Sequence, residues 1–177
     1  PCSVVSYCQL AKVITVSGSE SKPLEVWVAE DSPFYRLVVE EAIEEISKVT
    51  DFPISLTVFE RFGDIREAFE AVMQRGAVLP AAVLSDLHFP DNAHDDIQDI
   101  LSFYGAYVHL VPVSFMSCNP DSLIEAERLA KHNRDALLPA KFLRKDTSDT
   151  MSHLVKTIHA MVFAPRNCTS HSVTSLA

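Results

Sequence analysis

Cysteine is scarce in this chain of 177 residues: there are four, at positions 2, 8, 118 and 168, and none is spaced as CxxC. That excludes a zinc ribbon and a dithiol redox motif; a Cys2–Cys8 disulfide is conceivable but is not the expectation. Basic residues are also few, 15 Lys+Arg against 24 Asp+Glu, which leaves a formal charge of −9 and no basic block. Non-specific binding to nucleic acid or to an anionic membrane needs clustered cations, so both readings fall. Long apolar runs are missing too. The longest nearly apolar stretch, Ala77 to Leu84, contains Pro80 and is far short of the roughly 20 residues a membrane-spanning helix requires. The opening PCSVVSYCQLAKV carries only Lys12, inside the apolar stretch rather than before it, which makes a poor secretory signal. The expected compartment is the cytoplasm. What the chain does have is apolar material, with 47% hydrophobic residues and 10 Phe, enough for one buried core in a domain of this length.

Residues 1–23 mix β-prone runs, SVVSY and KVITV, with the polar stretch SGSESKP, and read as an N-terminal extension or linker, with three roles open: an added strand, a dimer contact or a link to an upstream module. The domain is expected over residues 24–163. Residues 164–177 show no period and many Ser and Thr, the pattern of a flexible C-terminal tail. Asn167-Cys168-Thr169 fits a glycosylation pattern that has no meaning in a cytoplasmic chain.

Between those limits short apolar runs alternate with segments of helical period, which predicts βαβ units and a parallel sheet. LEVWVA (24–29), ISLTVF (54–59), AAVLS (81–85), Pro112–Met116 and Lys141–Leu143 read as five strands. Helices are expected from Pro33 to Ser47, with Ser32 as N-cap, from Asp64 to Arg75, within DDIQDILSF, from Pro120 to Asn133 with Asn119 as cap, and from Ser148 to Met161. In the first helix Phe34, Leu37, Val38, Ala42, Ile43 and Ile46 recur at three and four and are expected to face inward. AYVHL after Gly105 fits either a loop or an early strand. The fold class is therefore α/β, a doubly wound five-stranded parallel sheet with helices on both faces.

In open parallel sheets the functional crevice lies beyond the carboxyl ends of the strands. Glu30-Asp31 end the first strand, Ser85-Asp86 the third and Ser117 the fourth, and Lys145 follows the fifth. Carboxylates gathered on one rim repel unless a cation sits among them, and oxygen ligands suit Mg2+. A metal, a hydroxyl, an ammonium and a nucleophilic carboxylate together form a site for a phosphoryl group. The first loop is acidic where an FMN phosphate loop needs Ser, Thr or Gly, and no second Asp follows Asp86 at the near spacing a phosphatase general acid needs. The remaining histidines, at 94, 109, 132, 153, 159 and 171, show no pairing with cysteine, which argues against zinc.

AEDSPFYRLVVEEAI, LSDLHFPDN, PVSFMSC and KFLRKD, in that order at the ends of strands one, three, four and five, resemble the receiver domain of two-component response regulators (CheY-like). The resemblance covers Leu24 to Met161. It implies a flavodoxin-like fold in which Glu30, Asp31 and Asp86 hold Mg2+, or Mn2+ in its place, with the backbone carbonyl of His88. It also implies that Asp86 is phosphorylated, that Ser117 is the switch hydroxyl, that Lys145 pairs with the phosphoryl group and that Phe142 is the switching aromatic. His88 and Asn119 fall where the family tunes the phosphate's lifetime. The implied partners are a histidine kinase or histidine phosphotransfer protein and a downstream protein target. That target would read the face of the fourth helix, fifth strand and fifth helix, which also offers a homodimer contact. Any catalysis is limited to the domain's own phosphorylation and dephosphorylation.

The sequence departs from the family at three points. Cys118 follows the switch hydroxyl, Asp146 replaces the proline that normally follows the lysine, and two connecting segments are longer than usual. Lys141 is a rival to Lys145, although its spacing fits less well. These departures motivate an alternative, a pseudo-receiver that signals by protein–protein interaction without phosphorylation. The sequence carries no DNA-binding or second catalytic module after Phe163, so the expectation is a stand-alone regulator or a receiver cut from a longer protein.

Overall fold

Apolar strands and one-sided helices bury both their surfaces only when the helices cover the two faces of a sheet. That is the arrangement in the computed structural model, which describes residues 12–15, 22–90, 97–132 and 141–163. The elements in chain order are β1 (Lys12–Thr15), β2 (Leu24–Ala29), α1 (Pro33–Val49), β3 (Ile54–Phe59), α2 (Phe62–Arg75), β4 (Ala82–Asp86), α3 (Ile97–Gly105), β5 (Val113–Ser117), α4 (Pro120–His132), β6 (Lys141–Arg144) and α5 (Thr150–Phe163). The expected tail from residue 164, the Cys2–Cys8 pair, the Asn167–Thr169 pattern, the helix end at Asn133, and His94 and His171 lie outside the described residues.

Strands β2 to β6 are parallel and ordered β3-β2-β4-β5-β6, the five-stranded sheet expected from the sequence. A sixth strand joins those five, the first of the roles left open to residues 1–23. β1 runs antiparallel along the outer side of β3, with Lys12 opposite Val58 and Thr15 opposite Ser55. The β-prone part of the extension thus belongs to the sheet rather than to a linker.

Alternation along each strand divides the core in two. On one face α2, α3 and α4 pack an aromatic cluster that includes Trp27, Phe59, Phe62, Phe69, Phe89, Tyr104 and Phe115. On the other, α1 and α5 pack an aliphatic cluster that includes Val28, Val39, Ile43, Ile46, Leu56, Leu84, Leu154 and Ile158. The buried stripe of α1 is Val39, Ala42, Ile43 and Ile46. Phe34 and Leu37, expected inward, are instead 64% and 62% exposed, because at about 100° per residue they fall on the opposite side of the helix from Ile43 and Ile46, while Val38 beside them packs on the aliphatic cluster.

The remaining boundaries follow local chemistry. Gly76 ends α2 at φ +60°, a conformation that costs glycine nothing, and its N–H bonds the Met73 carbonyl. Asn119 caps α4 as expected, its Oδ1 accepting the Asp121 N–H at 3.0 Å. The Ala106–Leu110 segment takes the loop alternative, as a series of turns, with Val108 N–H to the Tyr104 carbonyl at 2.9 Å and Leu110 N–H to the Tyr107 carbonyl at 2.8 Å.

Candidate functional site

The connection after β2 runs into α1 on one face of the sheet and that after β4 leads to α3 on the other, so a crevice opens where the carboxyl ends of β2 and β4 lie side by side. Glu30 follows β2 and keeps the ladder one residue longer, its N–H on the Phe59 carbonyl at 2.9 Å. Its side chain is 0% exposed. The Ser32 N–H donates to its Oε1 at 3.2 Å. Ser32 holds the N-cap position of α1, but its hydroxyl makes no cap bond. Asp86 ends β4, and its Oδ1 accepts the N–H of Leu87 at 2.6 Å and of His88 at 3.3 Å. Carboxylate oxygens of Glu30, Asp31 and Asp86 all lie within 4.8 Å of one another.

Lys145 reaches this cluster from just past β6. Its N–H continues the β5–β6 ladder onto the Ser117 carbonyl at 3.0 Å, and its own carbonyl accepts the Thr150 hydroxyl at 2.9 Å. With the backbone pinned at both ends, Nζ lies 2.6 Å from Asp86 Oδ2 and 2.9 and 3.1 Å from the two oxygens of Glu30. The side chain is 4% exposed. Lys141, the rival, stands exposed at the far end of β6, opposite Ser114.

Burial raises the Glu30 carboxyl to about 7; the neighbouring Asp86 charge adds to the shift and the Lys145 ammonium opposes it. Burial works against the Lys145 charge, but Asp86 and Glu30 outweigh it, so its pKa rises. Three carboxylates against one ammonium leave the cluster short of positive charge. Its donors are all hard oxygens, so the residues present fit Mg2+.

Ser117, at the end of β5, is buried, and its hydroxyl oxygen accepts the Asn119 N–H at 3.0 Å. Phe142 lies opposite Phe115 in the β5–β6 register, and the rings stack with centroids 5.5 Å apart. Phe115, Ser117 and Phe142 share the aromatic face by strand parity. The His88 ring turns to α4, with Nε2 2.7 Å from the Ser122 hydroxyl. Asp146 points away from the carboxylates to form a two-pronged pair with Arg144, at 2.5 and 2.9 Å.

Two more side chains complete the site: Tyr35, which sequence reasoning missed, and Cys118, which it named only as a departure from the family. The Tyr35 ring covers Lys145, with Nζ 4.6 Å from its centroid. Cys118 Sγ and the Tyr35 hydroxyl lie 3.2 Å apart, within hydrogen-bond distance. A phenol that donates to the sulfur keeps its proton, and this bond together with burial pushes Tyr35 up to about 12. The signal available in the sequence was position: Tyr35 falls in the first turn of the helix that follows Glu30-Asp31, and Cys118 adjoins Ser117.

A scan against protein-family models finds no match, and a search of curated proteins finds none. Solved structures do match. The phosphorylated cyanobacterial phytochrome response regulator RcpA aligns over 81% of this chain and 96% of its own, with TM-score 0.56 and 18% identity. A response regulator receiver domain from Rhodospirillum rubrum aligns over 78% and 92%, with TM-score 0.54 and 18% identity. A response regulator in red light signaling of R. palustris aligns over 78% and 93%, with TM-score 0.52 and 23% identity. The chain has the receiver fold. It is CheY-like, with parallel strands in the order 2-1-3-4-5 when β1 is set aside. Within the receiver fold the acidic cluster occupies the crevice at the carboxyl ends of the strands. Among the described residues no helix is long and apolar enough to cross a membrane.

Proposed function

We propose that this chain is a phosphorylation switch in two-component signalling, with Asp86 as phosphoacceptor. The observation that carries the reading is the bridge of Lys145 Nζ to Glu30 and Asp86 inside the acidic crevice of a receiver fold. A carboxylate oxygen of Asp86 attacks the phosphorus of a phosphohistidine on a histidine kinase or phosphotransfer protein. The P–N bond breaks, its electron pair stays on the imidazole, and the product is an aspartyl phosphate. Asp86 is oriented for this by the Leu87 and His88 N–H groups on Oδ1. Those bonds leave Oδ2 as the oxygen facing Lys145.

Glu30, Asp31 and Asp86, with the His88 carbonyl, are the residues that would hold Mg2+, which when bound supplies positive charge to the phosphoryl oxygens. Once Asp86 is phosphorylated it no longer holds Lys145 as a free carboxylate, and the ammonium follows the charge onto the phosphoryl oxygens. The Ser117 hydroxyl exchanges the Asn119 N–H for the same group. That movement shifts the β5–α4 junction and the Phe115–Phe142 stack beside it, and so changes the face formed by α4, β6 and α5. A downstream partner, or a second copy, reads that face. Asp146 supports rather than weakens this reading, since Arg144 neutralises it outside the crevice.

Intact-mass spectrometry after incubation with acetyl phosphate tests the proposal. One phosphoryl group is expected on the wild type with Mg2+, and none without Mg2+ or on Asp86→Asn. No addition to the folded wild type would overturn it in favour of a pseudo-receiver that signals by binding alone.

A further inference from the structure

Within the phosphoacceptor reading, we infer that Tyr35 is a positioning residue for Lys145, holding the ammonium against its ring face, and that Cys118 sets the angle of that ring. Lys145 has three N–H groups, and Glu30 and Asp86 hold them on one side. A buried ammonium that loses a carboxylate partner normally pays a large desolvation cost. Lys145 loses one whenever Asp86 is phosphorylated. The face of an aromatic ring attracts a cation without fixing one direction. The ammonium can therefore slide from Asp86 toward the incoming phosphoryl oxygens while remaining against Tyr35, 4.6 Å from its centroid.

The ring is held at both ends of this arrangement. Its backbone sits in the first turn of α1, and α1 packs against α5 and β3. Its hydroxyl is tied to Cys118, across 83 positions of sequence, at the start of the loop after β5. Cys118 is the residue after Ser117, so a rotation of Ser117 toward the phosphoryl group pulls directly on the contact that orients the ring. Tyr35 and Cys118 thus link the lysine and the hydroxyl, the two groups that must move together when the phosphoryl group arrives.

The test uses the full chain and three variants, each first checked for folding by circular dichroism. The first readout is the NMR shift of the Lys145 ε-methylene group in protein free of phosphate. Ring current should move it upfield in the wild type, less so in Tyr35→Phe and Cys118→Ala, and return it to the range of exposed lysines in Tyr35→Leu. The second readout is the rate of phosphoryl uptake from acetyl phosphate with Mg2+. Tyr35→Leu should lower the maximal rate about tenfold, with little change in the half-saturating donor concentration, a size within reach of a desolvated cation–ring contact. Tyr35→Phe and Cys118→Ala remove the same hydrogen bond from its two ends, so both should fall alike between wild type and Tyr35→Leu, as a ring retained but less well oriented predicts. Wild-type uptake with an unchanged rate in Tyr35→Leu, or an unshifted Lys145 signal in the wild type, would overturn the inference while leaving Asp86 as phosphoacceptor. Absence of uptake in the wild type would overturn the phosphoacceptor reading itself, and the role of Tyr35 with it.

Discussion

The two faces of the sheet are built from different chemistry. Rings fill the side under α2, α3 and α4, where Trp27 packs edge-on against Phe59 and Phe69, and Phe62 stacks on Phe89. Branched aliphatic side chains fill the side under α1 and α5, with no aromatic residue in the buried set. Val and Ile, branched at Cβ, are held near one χ1 rotamer, whereas aromatic pairs have offset and edge-on arrangements that are both favourable, so a ring has a second packed position available. The contrast teaches where motion belongs. Ser117, Phe115 and Phe142 lie on the ring-rich side, while the α1–α5 side is suited to act as the frame against which they move.

The largest break in this comparison should come from Phe69, which touches Trp27, Phe103, Tyr104 and Tyr107. Phe69→Ala should lower stability by about 4 kcal/mol in urea unfolding. Ile46→Ala, at the fully buried centre of the aliphatic side, should cost about 3 kcal/mol and leave phosphoryl uptake unchanged. If Ile46→Ala instead alters the uptake rate, the aliphatic side is part of the switch and not its frame. Phe142→Leu, half-buried at the edge, should cost only about 1 kcal/mol. It should permit phosphorylation but shrink the resulting amide shift changes in β6 and α5, measured by NMR.

A pH-dependent effect sits at the seam between the faces, at Glu30. Its carboxyl rises from the ordinary 4.5 to about 7 in the folded protein, so the folded state binds that proton more tightly than the unfolded one. In chelator, the stabilisation from this group is complete below pH 4.5 and is lost as the pH rises through 7. Glu30→Gln cannot titrate and should lack this loss. The difference in urea midpoint, wild type minus variant, should therefore fall across that window. Mg2+ should reverse the trend, because it binds the ionised carboxylate.

Period and strand-end chemistry made the five-stranded sheet, the two-sided helices and the meeting of Glu30, Asp31, Asp86 and Lys145 legible, because each depends on a pattern local to one element. What escaped depends on pairings between distant segments. KVIT is β-prone by itself, but nothing near it in sequence says that it will lie antiparallel to residues 55–58. Phe34 and Leu37 recur at helical spacing with the buried residues, yet they lie round the far side of α1 from Ile43 and Ile46, and which side is covered is set by α5 and β3. Tyr35 over Lys145 joins α1 to the loop after β6, and only the closed sheet brings them within reach. Asp146 read as a departure from the family, and its two-pronged partner Arg144 is visible only once both side chains are placed.

The antiparallel strand β1 has a consequence for how copies of this protein behave when crowded. The outermost strand of a sheet shows a row of unpaired amides and carbonyls on which another chain can template itself. Without β1 that row would belong to ISLTVF, six residues with no charge and strong β preference, the composition of a cross-β segment. With β1 in place the sheet ends in two strands of only four residues, each beginning with a lysine. Removing the residues before Lys22 should therefore leave the crevice intact and still make the protein prone to edge-to-edge aggregation, visible as light scattering that grows with concentration. The extension then serves as a guard on solubility, independent of the signal the domain carries.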